Sequence, residues 1–190
     1  MRHKYETRGI VLARAHMGEA TTLVTVLTPE LGLVQARVQS LRKSGAKLAH
    51  ALTTFAESKL VLVRGKEGWR LTGAVLEENW FVKLRESHTR MRAARVSDLL
   101  LRLVAGEAQD SLLFPIISGL FTTLTTSPES SHEAAEMLAV LRTLEALGFD
   151  SGEALNSSSI LFNPVLLETI LAERSYYISR INAGIAASGL

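Results

Sequence analysis

A short basic segment, Leu41–His50, carries the residues of this sequence best suited to bind an anion. Its sequence is LRKSGAKLAH, in which Arg42, Lys43 and Lys47 stand among small residues without an intervening acid. On a loop between two strands, such cations present positive charge that the phosphate backbone of a nucleic acid can reach. The segment by itself leaves a second interpretation open, a solvated surface loop without a ligand.

The distribution of charge along the chain favours the nucleic-acid interpretation. The 190 residues carry a net charge of only +2. Residues 1–95 contain 17 Lys and Arg against 8 Asp and Glu, whereas residues 96–190 contain 4 against 11. Such asymmetry between halves is typical of a polyanion-binding part joined to a part with a different role.

Further cations lie on the strands and turns predicted around this segment. Arg37 directly precedes it on the same strand–loop unit, and Arg14 and Lys59 lie on neighbouring strands. The remaining cations on these strands and turns are Arg8, Arg64, Lys66 and Arg70. A helical trio, Arg90, Arg92 and Arg95, either extends the basic surface or stays solvated, and the sequence leaves both possibilities open.

No arrangement of residues in the sequence indicates an enzyme. The chain has no Cys, which excludes thiol catalysis, disulfides and Cys-ligated zinc. Its five His residues have no metal-ligand spacing, and we expect them on the surface. Neither a nucleophile elbow nor a glycine-rich phosphate loop is found, so no cofactor is predicted.

Five segments in the first eighty residues have the alternation or the β-branched composition of strands. Pro29, Gly32 and the segment Gly65–Gly68 supply the turns between them. The strands are predicted at Tyr5–Ala15, Thr21–Thr28, Leu33–Gln39, Ser58–Arg64 (after a lead-in at Leu52–Phe55) and Trp69–Glu77. This number of short strands favours a five-stranded barrel of the OB type, and an SH3-like barrel fits nearly as well.

From about Ser87 the apolar period changes from 2 to 3.6, which predicts helices to the end of the chain. A capping box at Ser130–Glu133 and the Asn163–Pro164 pair are read as helix starts, the second opening the last helix. The predicted fold class is therefore α+β. Residues 1–82 form an OB-fold nucleic-acid-binding domain, and residues 83–190 form a helical domain.

Several ordered motifs resemble one known family. A GIVL strand is followed by GEA, by a TPE-x-G turn, by a basic RK-x(3)-K loop leading to a Phe, and by a closing W-x-L strand. Over Gly9–Glu78 this order is similar to the amino-terminal domain of RecO, a recombination mediator in DNA repair. The segment LAVLRTLEALGF and the final SRINAGIAASGL are similar to that family's helical domain.

The resemblance implies a DNA-binding, non-catalytic protein. It implies binding of single- and double-stranded DNA, strand annealing, pairing with RecR, contact with the single-stranded-DNA-binding protein and help in loading the RecA recombinase. By position, the family's basic loop corresponds to Arg42, Lys43 and Lys47 with Arg37 before it, and Arg14 and Lys59 are added. Many family members carry a four-cysteine zinc module, whereas the corresponding stretch here, Asp150–Ser159, has no Cys, so zinc is not expected.

Two other functions fit the charge pattern. The first is an RNA-binding OB module, because phosphate contacts do not reveal the sugar. The second is a scaffold whose basic face binds an acidic protein surface. No apolar run reaches the roughly 18 residues of a membrane-spanning helix and no signal peptide is recognised, so we expect a cytoplasmic protein without a membrane partner.

Overall fold

The computed structural model describes residues 3–17, 20–39, 48–104, 106–107, 110–151 and 162–190. Five strands lie in the first part of the chain. Their bounds are β1 Lys4–Met17, β2 Thr21–Thr28, β3 Gly32–Gln39, β4 Ala56–Gly65 and β5 Gly68–Asn79. They form a closed barrel in the order β1-β2-β3-β5-β4. The predicted five-stranded OB-type barrel in an α+β chain is thereby confirmed.

The long strand β1 closes the barrel because it pairs along its length with two neighbours. Its first half pairs with β4 and its second half pairs with β2, both antiparallel. The register shifts between Val11 and Ala13, which is where a bulge lets a strand bend around a barrel. A short parallel pairing of β3 with β5, at Ala36–Trp69 and Arg37–Arg70, completes the closure.

The predicted turn between β2 and β3 is stabilised by Thr28. Its hydroxyl accepts a hydrogen bond from the Leu31 amide at 3.0 Å and donates one to the Gly32 carbonyl at 3.1 Å. Gly32 has a φ of 64°, a left-handed conformation that glycine adopts without a steric penalty. The TPE-x-G sequence therefore forms a tight connection that sets the register of β3 against β2.

A contiguous apolar core fills the barrel. It consists mostly of branched aliphatic side chains, with one buried Trp near the β4–β5 turn. The members are Val11, Val24, Val26, Val34, Ala36, Val38, Leu52, Leu60, Leu62, Trp69 and Leu71. Burial of this apolar surface, at about 25 cal/mol per Å², stabilises the scaffold that carries the surface cations.

Helices follow the barrel. Their bounds are α1 Trp80–Lys83, α2 Ser87–Leu103, α3 Leu113–Thr126, α4 His132–Ala146, α5 Pro164–Ala172 and α6 Arg174–Ser188. The helix α4 is largely buried and packs against α2, α5 and α6. Within the described parts of the chain, no helix combines the length and the apolar character needed to span a bilayer.

Contacts divide the chain into two compact units. One comprises Met1–Lys83 with Gly106–Phe114, and the other comprises Leu84–Ala105 with Pro115–Leu190. Most of the segment between α2 and α3, with the first two residues of α3, therefore groups with the barrel. The division into domains at residues 82 and 83 stays a prediction.

Three details of the helical half differ from the sequence-based expectations. The predicted last helix is two helices, because the backbone leaves helical geometry at Glu173. Among the described residues, the Ser131 side chain makes no capping hydrogen bond to α4, so the capping box is not formed. His132 is buried rather than on the surface, and its Nε2 lies 3.1 Å from the Ser127 carbonyl oxygen.

Candidate nucleic-acid interface

Of the six residues predicted to contact a nucleic acid, three lie within the described parts of the chain. Arg37 lies on β3, Arg14 on β1 and Lys59 on β4, and all three side chains are exposed. The other three, Arg42, Lys43 and Lys47, lie outside the described residues. They follow Arg37 in the chain, after β3 ends at Gln39.

The barrel brings Arg37 together with Arg70, which the residue types alone do not indicate. The two are direct partners across the parallel β3–β5 pairing, and both are exposed. Partners across a ladder direct their side chains to the same face, so two guanidinium groups share one patch of surface. Like charges directly opposite each other are destabilising, and a bound anion would offset that repulsion.

A cross-strand row extends this pair. Arg70 is also the partner of Val63 on β4, and Val63 is the partner of Lys4 on β1. With neighbouring strands about 4.8 Å apart, the row Lys4–Val63–Arg70–Arg37 spans about 14 Å of the barrel surface. We call these four residues the basic row. The Lys4 ammonium is paired with Glu6 at 2.6 Å, whereas Arg70 has no ion pair among the described residues.

The β4–β5 turn adds one acid and one base beside the basic row. The Arg37 Nη1 lies 3.1 Å from Oε2 of Glu67. Glu67 is 88% exposed, so the ion pair is screened by solvent and opens at little cost. Lys66 is exposed and has no ion pair in the parts of the chain that the structure describes. In an OB fold, this turn and the face of the second and third strands are common binding surfaces for oligonucleotides.

Lys59 and Arg14 do not join the basic row. Lys59 lies four residues before Val63 on β4, about 13 Å along the strand. Its ammonium is 3.1 Å from Glu77, and its cross-strand partner on β1 is Arg8. Arg14 is the partner of Val24, whereas the residue in register with Leu23 and Arg37 is Ala15.

Two arginines of α2, Arg92 and Arg95, are engaged within the helical unit. The Arg95 guanidinium donates two hydrogen bonds to the Glu136 carboxylate, from Nε at 2.6 Å and from Nη2 at 2.8 Å. Arg92 donates to the same carboxylate. These hydrogen bonds raise the pKa of Arg95 above its ordinary value. Both arginines therefore hold α2 against α4, which disfavours a role in phosphate contact.

The residues present do not fit a zinc module. The chain has no Cys, and no cluster of three His, Asp or Glu side chains with the geometry of a metal site occurs in the described ranges. Thiolate sulfur is the donor that the family's zinc module uses. No step of the proposed function is therefore assigned to zinc.

A closed five-stranded barrel with exposed cations on its surface, followed by helices, defines an OB-type protein with a basic face. Residues 1–79 match the family model described as "Recombination protein O N terminal". The chain belongs to the RecO family, as the order of its motifs predicted.

Curated relatives named "DNA repair protein RecO" extend this match. The chain is 29% identical over 129 residues to the protein of Dehalococcoides mccartyi strain 195, covering 67% of this chain and 51% of the relative. It is 32% identical over 136 residues to the protein of Gloeobacter violaceus, covering 70% of this chain and 51% of the relative. It is 29% identical over 170 residues to the protein of Roseiflexus sp. strain RS-1, covering 85% of this chain and 59% of the relative. The chain thus spans about half the length of these relatives.

Proposed function

We propose that this chain is a non-enzymatic mediator of DNA recombination and repair that binds single- and double-stranded DNA through the basic face of its barrel. The observation that carries the proposal is the adjacency of Arg37, on the strand that leads into the basic segment, to Arg70 on β5, both of which are exposed. The names of the curated relatives support the same conclusion.

The chemistry of this face favours phosphate contacts over base reading. Arginine and lysine side chains neutralise phosphates, and each contact releases condensed counterions. Such binding has little sequence preference and weakens steeply with salt. A protein that must act on any broken or gapped DNA needs this property, because its substrates share a backbone but not a sequence.

The two predicted domains have different roles in this function. Residues 1–82 bind the nucleic acid, and residues 83–190, with their net negative charge, supply contacts to proteins. Membership in the family implies a RecR-like partner, the single-stranded-DNA-binding protein and, indirectly, a RecA-type recombinase. Strand annealing and recombinase loading then depend on DNA held on the barrel near these partners in the cytoplasm.

The experiment that tests the proposal is fluorescence anisotropy of a labelled DNA single strand titrated with protein over a salt series. The native chain is compared with an Arg37→Glu, Arg70→Glu variant and with an Arg42→Glu, Lys43→Glu, Lys47→Glu variant. We expect the native chain to show a log–log salt slope of several units. Each lost phosphate contact lowers the slope by about 0.7 for single strands.

An Arg102→Glu variant is the matched control. Arg102 is exposed on α2 and has no ion pair in the described ranges, so its reversal changes the net charge without altering a residue of the barrel. We expect this control to bind like the native chain. Tighter binding to a matched RNA strand would favour the RNA-binding module, and no oligonucleotide binding at low salt would favour an acidic protein partner.

A further inference from the structure

One aromatic side chain remains half exposed near the start of β1. Tyr5 on β1 is 39% exposed, whereas Trp69, which it contacts, is 8% exposed. The two ring centroids lie 5.1 Å apart at an interplanar angle of 75°, an edge-to-face arrangement. Trp69 belongs to the barrel core, so the Tyr5 ring is supported from below by a fixed side chain.

The Trp69 ring also contacts a guanidinium group. The Arg64 guanidinium lies 4.8 Å from the centroid of the Trp69 ring, a cation–π contact. The Arg64 amide donates a hydrogen bond to the His3 carbonyl at 3.3 Å, which ties the start of β1 to the end of β4. The start of β1, which carries Tyr5, is therefore hydrogen-bonded to β4, and this pairing fixes the backbone beneath the ring.

The charges around Tyr5 complement a nucleic acid strand. The Arg64 guanidinium, which contacts the same Trp69 ring, lies on the face of the sheet that carries Tyr5. Lys4 and Arg70 are next to Tyr5 and Trp69 in the chain and therefore lie on the opposite face. Lys66, in the adjoining turn, adds an exposed cation. An aromatic ring flanked by phosphate-binding cations is the arrangement that binds single strands without sequence preference.

We propose that Tyr5 stacks against one unpaired base of a single strand whose phosphates contact the Arg64 guanidinium. This inference rests on the proposed function and assigns it a preference for single-stranded nucleic acid at this site. The bases of a duplex are stacked on one another, so they cannot offer a face to the ring. Tyr5 would therefore add affinity for single strands and none for duplexes.

The test compares three ligands of equal charge per strand: a thymidine oligonucleotide, an abasic oligonucleotide of the same length, and a blunt duplex. They are titrated against the native chain and against Tyr5→Phe, Tyr5→Leu and Tyr5→Ala. Because a base–aromatic stack contributes about 1–3 kcal/mol, we expect Tyr5→Leu and Tyr5→Ala to bind the thymidine strand about 5- to 100-fold more weakly. Tyr5→Phe keeps the stack and retains the affinity.

The abasic strand and the duplex are the internal controls. We expect all variants to bind them like the native chain, with an unchanged salt slope, because no charge is removed. Thermal melting identifies any variant that fails to fold, and Tyr5→Leu keeps apolar cover over Trp69. Within the native chain itself, the thymidine strand should bind at least about 5-fold more tightly than the abasic strand.

Two results would overturn the inference, and they are distinguishable. If folded Tyr5→Leu binds the thymidine strand as the native chain does, or the native chain does not prefer it to the abasic strand, Tyr5 does not stack while the proposed function stands. If the native chain binds none of the three ligands at low salt, the proposed function itself fails.

Discussion

Arg37 on β3 and Arg70 on β5 face each other across the parallel pairing that closes the barrel, and both are exposed. A fold that needed only stability would not favour two cations at such a position. The adjacent Glu67 pairs with Arg37, but it is 88% exposed and only partly screens the repulsion. A phosphate bound between the two guanidinium groups would offset their repulsion by pairing with both positive charges.

The first prediction concerns Arg70→Gln. We expect it to raise the free energy of unfolding by about 0.2–1 kcal/mol, because it removes a like charge opposite Arg37. The same change should weaken binding to single-stranded DNA and lower the salt slope by about 0.7. Urea denaturation and anisotropy measure the two effects.

Lys66→Gln is the control for that prediction. Lys66 lies in the β4–β5 turn without a cation as its cross-strand partner, so its loss should lower affinity without raising stability. A decrease in stability of Arg70→Gln would show that the arginine pair does not repel, and would remove the physical argument for an anion between them.

The second prediction concerns Glu107, whose carboxylate accepts a hydrogen bond from Arg64 Nη1 at 2.9 Å. Both partners are substantially exposed, so the ion pair contributes at most about 1 kcal/mol to stability. Glu107→Gln frees the Arg64 guanidinium, which lies over the Trp69 ring, to contact a phosphate. We expect tighter binding to a DNA single strand, with a salt slope up to about 0.7 steeper.

Asp110→Asn separates this effect from a general change in net charge. Asp110 lies in the same segment and accepts a hydrogen bond only from the Leu112 amide among the described groups. We expect its neutralisation to leave the salt slope near the native value. Equal effects of the two substitutions would mean that the Glu107–Arg64 pair has no specific influence on binding.

The third prediction tests the packing of the helical half at Gly184 on α6. A Cβ at this position would lie 2.8 Å from Cδ1 of Leu144 and 3.2 Å from the Phe149 carbonyl oxygen. Gly184→Ala should therefore destabilise the protein by about 1–3 kcal/mol, although alanine is the better helix former. Urea denaturation followed by circular dichroism measures this.

Ser179→Ala is the matched helix control, since Ser179 is exposed on the same helix. It gains helix propensity without a clash and should be neutral or slightly stabilising. If Gly184→Ala were also stabilising, α6 would not approach α4 as closely as described.

The fourth prediction concerns pH. Burial raises the pKa of the Tyr177 hydroxyl, and Glu173 nearby raises it further, although Arg180 opposes the shift. The neutral form is favoured in the folded state, so this contribution to stability is complete below pH 10, the ordinary pKa, and is lost as the pH rises through the folded value. As the pH rises above 10, the native chain should lose more stability than Tyr177→Phe does.

Tyr176→Phe serves as the comparison, because the Tyr176 ring is 52% exposed on the neighbouring position of α6. Thermal melting at intervals across this pH range provides the measurement. If Tyr177→Phe loses as much stability at alkaline pH as the native chain does, the loss comes from other titrating groups.

Local pattern was sufficient to predict the barrel strands and the place where helices begin. Alternation and β-branched residues indicated the strands, and Gly32 needs its special backbone conformation in the turn it was predicted to form. The start at Asn163–Pro164 is confirmed too, since the Asn163 side chain accepts a hydrogen bond from the Val165 amide. These features depend on residues a few positions apart, so the sequence by itself determined them.

Contacts between distant residues were decided only by the tertiary structure. The pairing of Arg37 with Arg70 depends on the parallel register of two strands, and no local pattern encodes that register. Arg92 and Arg95 of α2 are likewise engaged by Glu136, 41 residues beyond Arg95. A cation's type and position in the chain are properties of the sequence, but whether it meets an acid, another cation or solvent depends on which surfaces the fold brings together.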